Sequence, residues 1–120
     1  MKYRESEEMY LETILLLTQN NENVRSIDVA NELNYSRASV SRAMGLLESR
    51  GYISFDSNYI RLTEEGNKKA NEILERHELI TKLLVEIGVG ENEAEDNACR
   101  IEHVISSEVL ECIKKYLNKA

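Results

Sequence analysis

Residues 26–50, SIDVANELNYSRASVSRAMGLLESR, carry the most informative pattern in this chain. Apolar residues recur at helical spacing on both sides of Asn34-Tyr35, which predicts two short helices joined by a tight turn. Ser26 and Ser36 are the expected N-caps of these helices. The inward faces are formed by Ile27, Ala30 and Leu33 in the first helix and by Val40, Met44 and Leu47 in the second. This arrangement is typical of a helix-turn-helix.

A two-stranded wing is predicted directly after this motif. The spacing of apolar residues changes here from a helical period of 3.6 residues to a strand period of 2. Residues 52–55 and 59–62 are therefore expected to pair as a β-hairpin. A helix over about residues 6–17, capped by Ser6, precedes the motif. The pattern predicts a mainly α fold with a winged helix-turn-helix over residues 1–70.

The following residues, 71–120, are predicted to be helical and to form a dimer. Thr63 caps a long helix that continues to about residue 87, and two further helices follow over about residues 92–104 and 107–117. Their apolar stripes are too extensive for so few helices to bury within one chain. A symmetric homodimer is the simplest arrangement that covers them.

The composition is that of a folded, acidic protein. Of its 120 residues, 42% are hydrophobic and 31% are charged, and the formal net charge is −7. The apolar runs are too short to span a bilayer, and the amino end has no secretory signal. We therefore expect a cytoplasmic protein without a membrane partner, in which Cys99 and Cys112 stay reduced. Residues 1–70 carry a net charge of −2 and residues 71–120 carry −5, so most of the acidity lies outside the winged helix.

The second helix of the motif is locally basic. Residues 36–50 contain three arginines and one acidic residue, which gives a net charge of +2. Hydroxyl groups reach phosphate oxygens, and arginine reaches guanine or phosphate. The predicted DNA-binding residues are Ser36, Arg37, Ser39 and Arg42 on this helix and Arg61 on the wing. A helix-turn-helix that binds another protein is the alternative, but the arginine-only basic set favours double-stranded DNA.

Metal-binding side chains recur at helical spacing in three parts of the chain. In chain order they are Met9, Glu12, His77, Cys99, Glu102 and His103. The last three stand at i, i+3 and i+4, which places a thiolate, a carboxylate and an imidazole on one helix face. A single cysteine, methionine or histidine on a helix is more often a packing residue. From the residues alone, packing therefore stays open as the alternative to a metal site.

The order and spacing of these residues resemble the DtxR/MntR family of metal-dependent transcriptional repressors. The resemblance is carried by four segments: EMYLE at 8–12, LTEEG at 62–66, RHEL at 76–79 and ACRIEHV at 98–104. It implies a DNA-binding winged helix followed by a helical domain for dimerisation and metal binding. Because the chain stops at Ala120, the resemblance implies a short, two-domain member without the third, SH3-like domain of longer members.

The resemblance also implies a mixed set of metal ligands. Positions of the iron-responsive branch are matched by Met9, Cys99, Glu102 and His103, and positions of the manganese-responsive branch by Glu12 and His77. His77 also matches an ancillary-site ligand of the iron branch, but Glu95 and Thr81 replace the histidine and glutamate of that site. Two soft donors favour Fe2+, with Mn2+ as the alternative. Zn2+, Co2+ or Ni2+ are expected to bind in vitro.

The implied function is repression of transcription that controls iron or manganese homeostasis. A divalent metal acts as co-repressor by locking a homodimer into the arrangement that binds a palindromic operator. Two other classes stay open on the residues alone. One is a metal-independent winged-helix regulator with a small-molecule effector. The other is a metalloenzyme with Glu12 or Glu102 as base, which the lack of an oxyanion-hole motif or phosphate loop disfavours, so no enzymatic activity is expected.

Overall fold

The computed structural model describes the backbone of residues 2–119 and the side chains of residues 7–118. This part of the chain forms, in order, α1 (Lys2–Asn20), α2 (Ser26–Leu33), α3 (Arg37–Ser49), β1 (Ile53–Asp56), β2 (Tyr59–Leu62), α4 (Glu64–Glu86), α5 (Glu91–Ile101) and α6 (Ser107–Lys119). The predicted mainly α fold with a single hairpin is confirmed. None of the helices in the described part of the chain is both long and apolar enough to cross a membrane.

The chain divides into two compact units, Lys2–Asn71 and a second that begins at Glu72, so that the boundary falls within α4. The amino-terminal unit has an apolar core to which its helices and its hairpin all contribute. Its most deeply buried side chains include Leu11, Ile14, Val29, Val40, Met44, Leu47 and Ile60. Burying each large apolar side chain stabilises the fold by about 1.5–3 kcal/mol.

The turn between α2 and α3 lies at Asn34-Tyr35, as the sequence predicted. Asn34 adopts a left-handed conformation, with φ of 58°, at the end of α2. Asparagine tolerates this region better than most residues with a Cβ. The Ser36 hydroxyl accepts a hydrogen bond from the backbone N–H of Ser39 at 3.1 Å, which confirms Ser36 as the N-cap of α3.

The wing is an antiparallel hairpin in which Ile53 lies opposite Leu62 and Asp56 lies opposite Tyr59. The first strand lies one residue later than the sequence predicted, because Asp56 belongs to the strand and leaves only two residues in the turn. The N–H of Ile60 donates to the carbonyl of Val24 at 2.7 Å. This hydrogen bond fixes the wing against the loop that precedes α2.

Two predicted helix starts are wrong. α1 begins at Lys2, so Ser6 lies within the helix instead of capping it, and the Ser6 side chain is outside the described residues. α2 begins at Ser26 itself, and its N-cap is Arg25. The Asp28 carboxylate accepts from the Arg25 N–H at 2.8 Å and so performs part of the capping expected of Ser26.

The carboxy-terminal unit consists of most of α4 with α5 and α6. Among its described residues, the buried apolar ones are Ile73 and Ile80 on α4 and Ala94 and Ala98 on α5. The Lys114 ammonium on α6 lies 2.8 Å from the Glu75 carboxylate on α4. The hydrogen bond to this carboxylate, followed by its negative charge, raises the pKa of Lys114.

Candidate metal centre and DNA-binding surface

Glu102 is a carboxylate in the carboxy-terminal unit whose side chain is 0% exposed. It is the C-cap of α5, and its N–H donates to the Ala98 carbonyl at 2.9 Å. Removing a carboxylate from water costs several kcal/mol unless hydrogen bonds and opposite charges compensate for it. The groups around Glu102 therefore define the candidate site.

Two imidazoles and a thiol surround this carboxylate. His77 Nδ1, on α4, lies 2.9 Å from Glu102 Oε2, and His103 Nε2 lies 3.2 Å from Glu102 Oε1. Cys99 Sγ lies 3.8 Å from His77 Nδ1. An imidazole nitrogen thus lies within 3.2 Å of each carboxylate oxygen, and the thiol lies beside the His77 ring.

The spacing of these groups fits a metal ion. One ligand atom each from His77, Cys99 and Glu102 can be chosen so that all lie within 4.8 Å of one another. Donors that bind one ion at about 2.0–2.3 Å stand roughly 3–4 Å apart, so small side-chain movements suffice. A nitrogen, a sulfur and an oxygen donor together suit a divalent first-row transition metal.

The helix that carries Cys99 ends about three residues earlier than the sequence predicted. α5 ends at Ile101, and Glu102 and His103 lie in the turn that follows. The backbone N–H groups of Val104 and Ile105 both donate to the Ile101 carbonyl, at 3.0 and 3.1 Å, and tighten this turn. Within this turn Glu102 and His103 approach each other, with Oε1 and Nε2 3.2 Å apart.

Met9 and Glu12 belong to α1 in the amino-terminal unit and lie about one helical turn apart. The Met9 thioether is half-buried and accepts from the Tyr35 hydroxyl at 3.9 Å. The Tyr35 ring also packs edge-on against Tyr10, with the ring centroids 6.1 Å apart. Sequence reasoning did not assign Tyr35 a role at the site, because no periodic pattern relates it to a residue on another helix.

The predicted DNA-binding residues of α3 are all exposed: Ser36, Arg37, Ser39 and Arg42. Neither Arg37 nor Arg42 has an ion-pair partner among the described side chains. The Ser36 and Ser39 hydroxyls hydrogen-bond each other at 2.9 Å. The two arginines are therefore the cationic groups of α3 with no competing partner in this part of the chain.

Arg61 lies on the wing, as predicted, but it has partners there. It lies 3.6 Å from the Asp56 carboxylate, donates to the Glu22 carbonyl and stands 5.7 Å above the centre of the Tyr59 ring. Arg50, at the end of α3, is likewise paired with Glu7 on α1 at 2.9 Å. A phosphate would have to compete with these groups for either arginine.

Both units match family models of repressors. Residues 2–58 match the model described as iron dependent repressor, N-terminal DNA binding domain. Residues 63–120 match the model described as iron dependent repressor, metal binding and dimerisation domain.

Individual relatives agree with these matches. An uncharacterized HTH-type transcriptional regulator from Methanocaldococcus jannaschii is 36% identical over 118 residues, which covers 96% of this chain and 94% of that protein. The iron-dependent repressor IdeR from Mycobacterium tuberculosis is 34% identical over 113 residues, covering 92% of this chain and 49% of IdeR. The solved structure of a manganese-dependent transcriptional repressor in complex with manganese superposes with a TM-score of 0.86 at 25% identity, covering 93% of this chain and 52% of that one. This chain thus spans about half the length of the last two relatives.

Proposed function

The chain belongs to the DtxR/MntR family of metal-dependent transcriptional repressors, and on that premise we propose that a divalent metal ion is its co-repressor. The proposed ligands in the carboxy-terminal unit are His77, Cys99, Glu102 and His103. Met9 and Glu12 of α1 are proposed as the further donors from the amino-terminal unit.

The burial of Glu102 is the observation that carries this proposal. The Glu102 carboxylate has no exposed surface, and an imidazole nitrogen lies 2.9 Å from Oε2 and another 3.2 Å from Oε1. Such a buried carboxylate is unusual in a small helical unit. A packing role alone would be met by an apolar residue without the cost of desolvating a charge. A metal ion would compensate the carboxylate directly.

We propose Fe2+ as the physiological metal and Mn2+ as the alternative. Oxygen donors such as Glu12 and Glu102 suit Mn2+, whereas the thioether and thiolate of Met9 and Cys99 favour Fe2+ and later metals. Zn2+, Co2+ or Ni2+ would occupy the site in vitro, because their affinity for such sites is higher in the Irving–Williams order. The relatives include proteins named for iron and for manganese dependence, which supports a divalent metal and leaves this choice to experiment.

Metal binding would act on DNA binding through a shift between conformations. Met9 and Glu12 of α1 and the donors of the carboxy-terminal unit would hold the ion, which would supply coordination bonds to both sets of donors. Met9 and Glu12 would then hold the winged helix in one orientation, in which two copies fit the half-sites of a palindromic operator. To raise the fraction of chains in the DNA-binding conformation from 1% to 99%, the metal must bind that conformation about 5.5 kcal/mol more tightly than the other one.

α3 is the proposed recognition helix, with Ser36, Arg37, Ser39 and Arg42 facing the major groove and Arg61 near the backbone. Two copies of the chain, associated through the carboxy-terminal units, would present two such helices. A repressor acts where its operator lies and needs Cys99 reduced to bind metal, so we place it in the cytoplasm.

A metal-independent regulator with a small-molecule effector is the second candidate. It is favoured by a cleft of about 330 Å³ in the amino-terminal unit, lined mainly by apolar side chains of α1 and α3 that include Tyr10, Leu46 and Leu47. In that case the cleft would hold the effector, and the groups around Glu102 would only stabilise the fold.

Removing metal with a chelator distinguishes a metal-dependent repressor from a regulator that binds a small-molecule effector. Operator binding would be measured by gel shift, anaerobically, with Fe2+ or Mn2+ and after addition of EDTA. We expect the shifted complex to disappear with EDTA and to return with excess metal, and the variant His103→Ala to give no metal-dependent complex. Binding that is unchanged by EDTA would contradict the co-repressor role and favour the effector-binding alternative.

A further inference from the structure

We propose that Arg76 is a positioning residue for the metal donors, because it holds the end of α5 from which Glu102 and His103 project. This inference rests on the proposed metal function, since it concerns the same site. Arg76 itself is not a ligand, because a guanidinium has donor hydrogens only and stays protonated in proteins.

α4 contacts Glu102 through two adjacent residues. Arg76 Nη1 donates to the backbone carbonyl of Glu102 at 2.9 Å, and His77 Nδ1 lies 2.9 Å from the carboxylate of the same residue. Arg76 is half-buried, and Glu102 is fully buried. The main chain and the side chain of Glu102 are therefore both fixed from α4.

The backbone carbonyls at the end of α5 need a hydrogen-bond donor from outside the helix. The last carbonyls of a helix have no intrahelical donor, and they form the negative end of the helix dipole. After Ile101 the chain leaves the helix, and the N–H groups of Val104 and Ile105 both go to the Ile101 carbonyl. Arg76 supplies a donor for the Glu102 carbonyl, and the charge on the guanidinium makes this hydrogen bond stronger than a neutral one.

The hydrogen bond has a consequence for metal affinity. Without Arg76, the turn that carries Glu102 and His103 would have other conformations open to it, and binding would have to select one of them. Partners that orient metal ligands are typically worth 10–100-fold in affinity. Because Arg76 acts on the position of donors and not on their softness, its loss should weaken binding of hard and softer metals by similar factors.

The neighbouring residue provides a matched control. Glu75 also lies on α4, and its carboxylate pairs with Lys114 of α6 at 2.8 Å. Glu75→Gln removes that pair between helices of the same unit without changing the hydrogen bond to Glu102. A general loosening of the unit would appear in both variants, whereas a positioning role is specific to Arg76.

The test uses the full chain and the metals alone. Dissociation constants for Mn2+ and for Co2+ would be measured by competition with a chromophoric chelator, under reducing conditions. We expect Arg76→Ala to weaken both metals about 10–100-fold, with the Mn2+/Co2+ ratio of the wild type retained. Arg76→Lys should recover part of the loss, because an ammonium also donates to a carbonyl at a helix end. Glu75→Gln should bind like the wild type.

Several results would overturn the inference. They are wild-type affinity in Arg76→Ala, the same loss in Glu75→Gln, or a change in the Mn2+/Co2+ ratio. Circular dichroism without metal would show whether Arg76→Ala folds. If it does not, metal affinities are measured for Arg76→Gln and Arg76→Lys instead. Wild-type affinity in both of these variants would again overturn the inference. His103→Ala separates the two hypotheses: if it retains wild-type metal affinity, the proposed metal site fails and the role of Arg76 fails with it.

Discussion

Among individual side chains, the two proposed sulfur donors distinguish the proposed ligand set from one made of nitrogen and oxygen alone. Cys99 is close to His77, with Sγ 3.8 Å from Nδ1, and is exposed enough to exchange its proton for a metal. Met9 is half-buried under the Tyr35 hydroxyl. Carboxylates and imidazoles bind every divalent first-row ion, so at the proposed site the two sulfur atoms would set the metal preference.

We expect Met9→Asp to shift the metal response towards Mn2+. The change replaces a soft thioether with a hard carboxylate and leaves the other donors in place. Operator binding would be titrated anaerobically with Fe2+ and with Mn2+, for the wild type and the variant. Met9→Leu, which removes the donor and keeps an apolar side chain of similar size, is the matched control. An Fe2+/Mn2+ preference unchanged in Met9→Asp would show that Met9 is a packing residue.

At the level of secondary-structure elements, the start of α4 is packed directly against the chain before the hairpin. A Cβ on Gly66 would lie 1.8 Å from the Tyr52 carbonyl oxygen. The same carbonyl accepts from the Thr63 N–H at 3.0 Å, and the Thr63 hydroxyl caps α4 by accepting from the Gly66 N–H at 3.0 Å. The wing and α4 therefore share one close junction that only glycine permits.

Gly66→Ala should lower the free energy of unfolding by at least about 1–3 kcal/mol, since backbone must move to admit the methyl group. Gly45→Ala is the control within the same unit. Gly45 lies inside α3, and a methyl group added there would meet no atom within 4 Å, so this change should stabilise by about 0.5–1 kcal/mol. Urea unfolding curves measure both. Equal effects of the two changes would contradict the close approach at Gly66.

α3 is the element to which DNA affinity is assigned. Arg37→Ala and Arg42→Ala should weaken operator binding, and each should reduce the salt dependence by about one unit of slope if the arginine contacts a phosphate. Metal affinity should be unaffected, because both residues are exposed on a helix that carries none of the proposed ligands. Arg100→Ala, an exposed arginine on α5, is the control. Unchanged operator affinity in the double variant would show that another element enters the groove.

For the molecule as a whole, the carboxy-terminal unit leaves apolar surface uncovered in a single copy. Val85, Ile87, Val104, Val109 and Tyr116 are 40–64% exposed. Val109 and Tyr116 are seven residues apart on α6, so they lie on one side of that helix. The match of residues 63–120 to a metal binding and dimerisation domain agrees with a partner on this unit.

We expect a homodimer at micromolar concentration, held together by residues 71–120. Sedimentation velocity with and without metal would measure it. Cys112 is exposed, so the experiment needs a reductant or the control variant Cys112→Ser, which separates dimerisation from disulfide formation. A monomer under both conditions would contradict the dimer.

Local patterns were sufficient to predict much of this protein. Helical periodicity, the change to a period of 2 before the wing and the capping residues Ser36 and Thr63 gave the element order correctly. These signals depend on neighbours within about four residues, which is the range over which a sequence can be interpreted without a fold. The spacing of Cys99, Glu102 and His103 likewise predicted a metal-binding cluster, which stays a prediction.

The contacts between helices depended on the tertiary structure. His77 and Arg76 reach Glu102 across 25 and 26 residues of chain, at 2.9 Å each, and no periodic pattern encodes such a pairing. α5 ends at Ile101 instead of near residue 104, and Arg76 donates to the Glu102 carbonyl just beyond that end. The complete burial of Glu102 is likewise a tertiary property that its sequence neighbours do not predict. Sequence supplied the donors, and packing brought four of them together, because desolvation and hydrogen bonding act between elements that are distant along the chain.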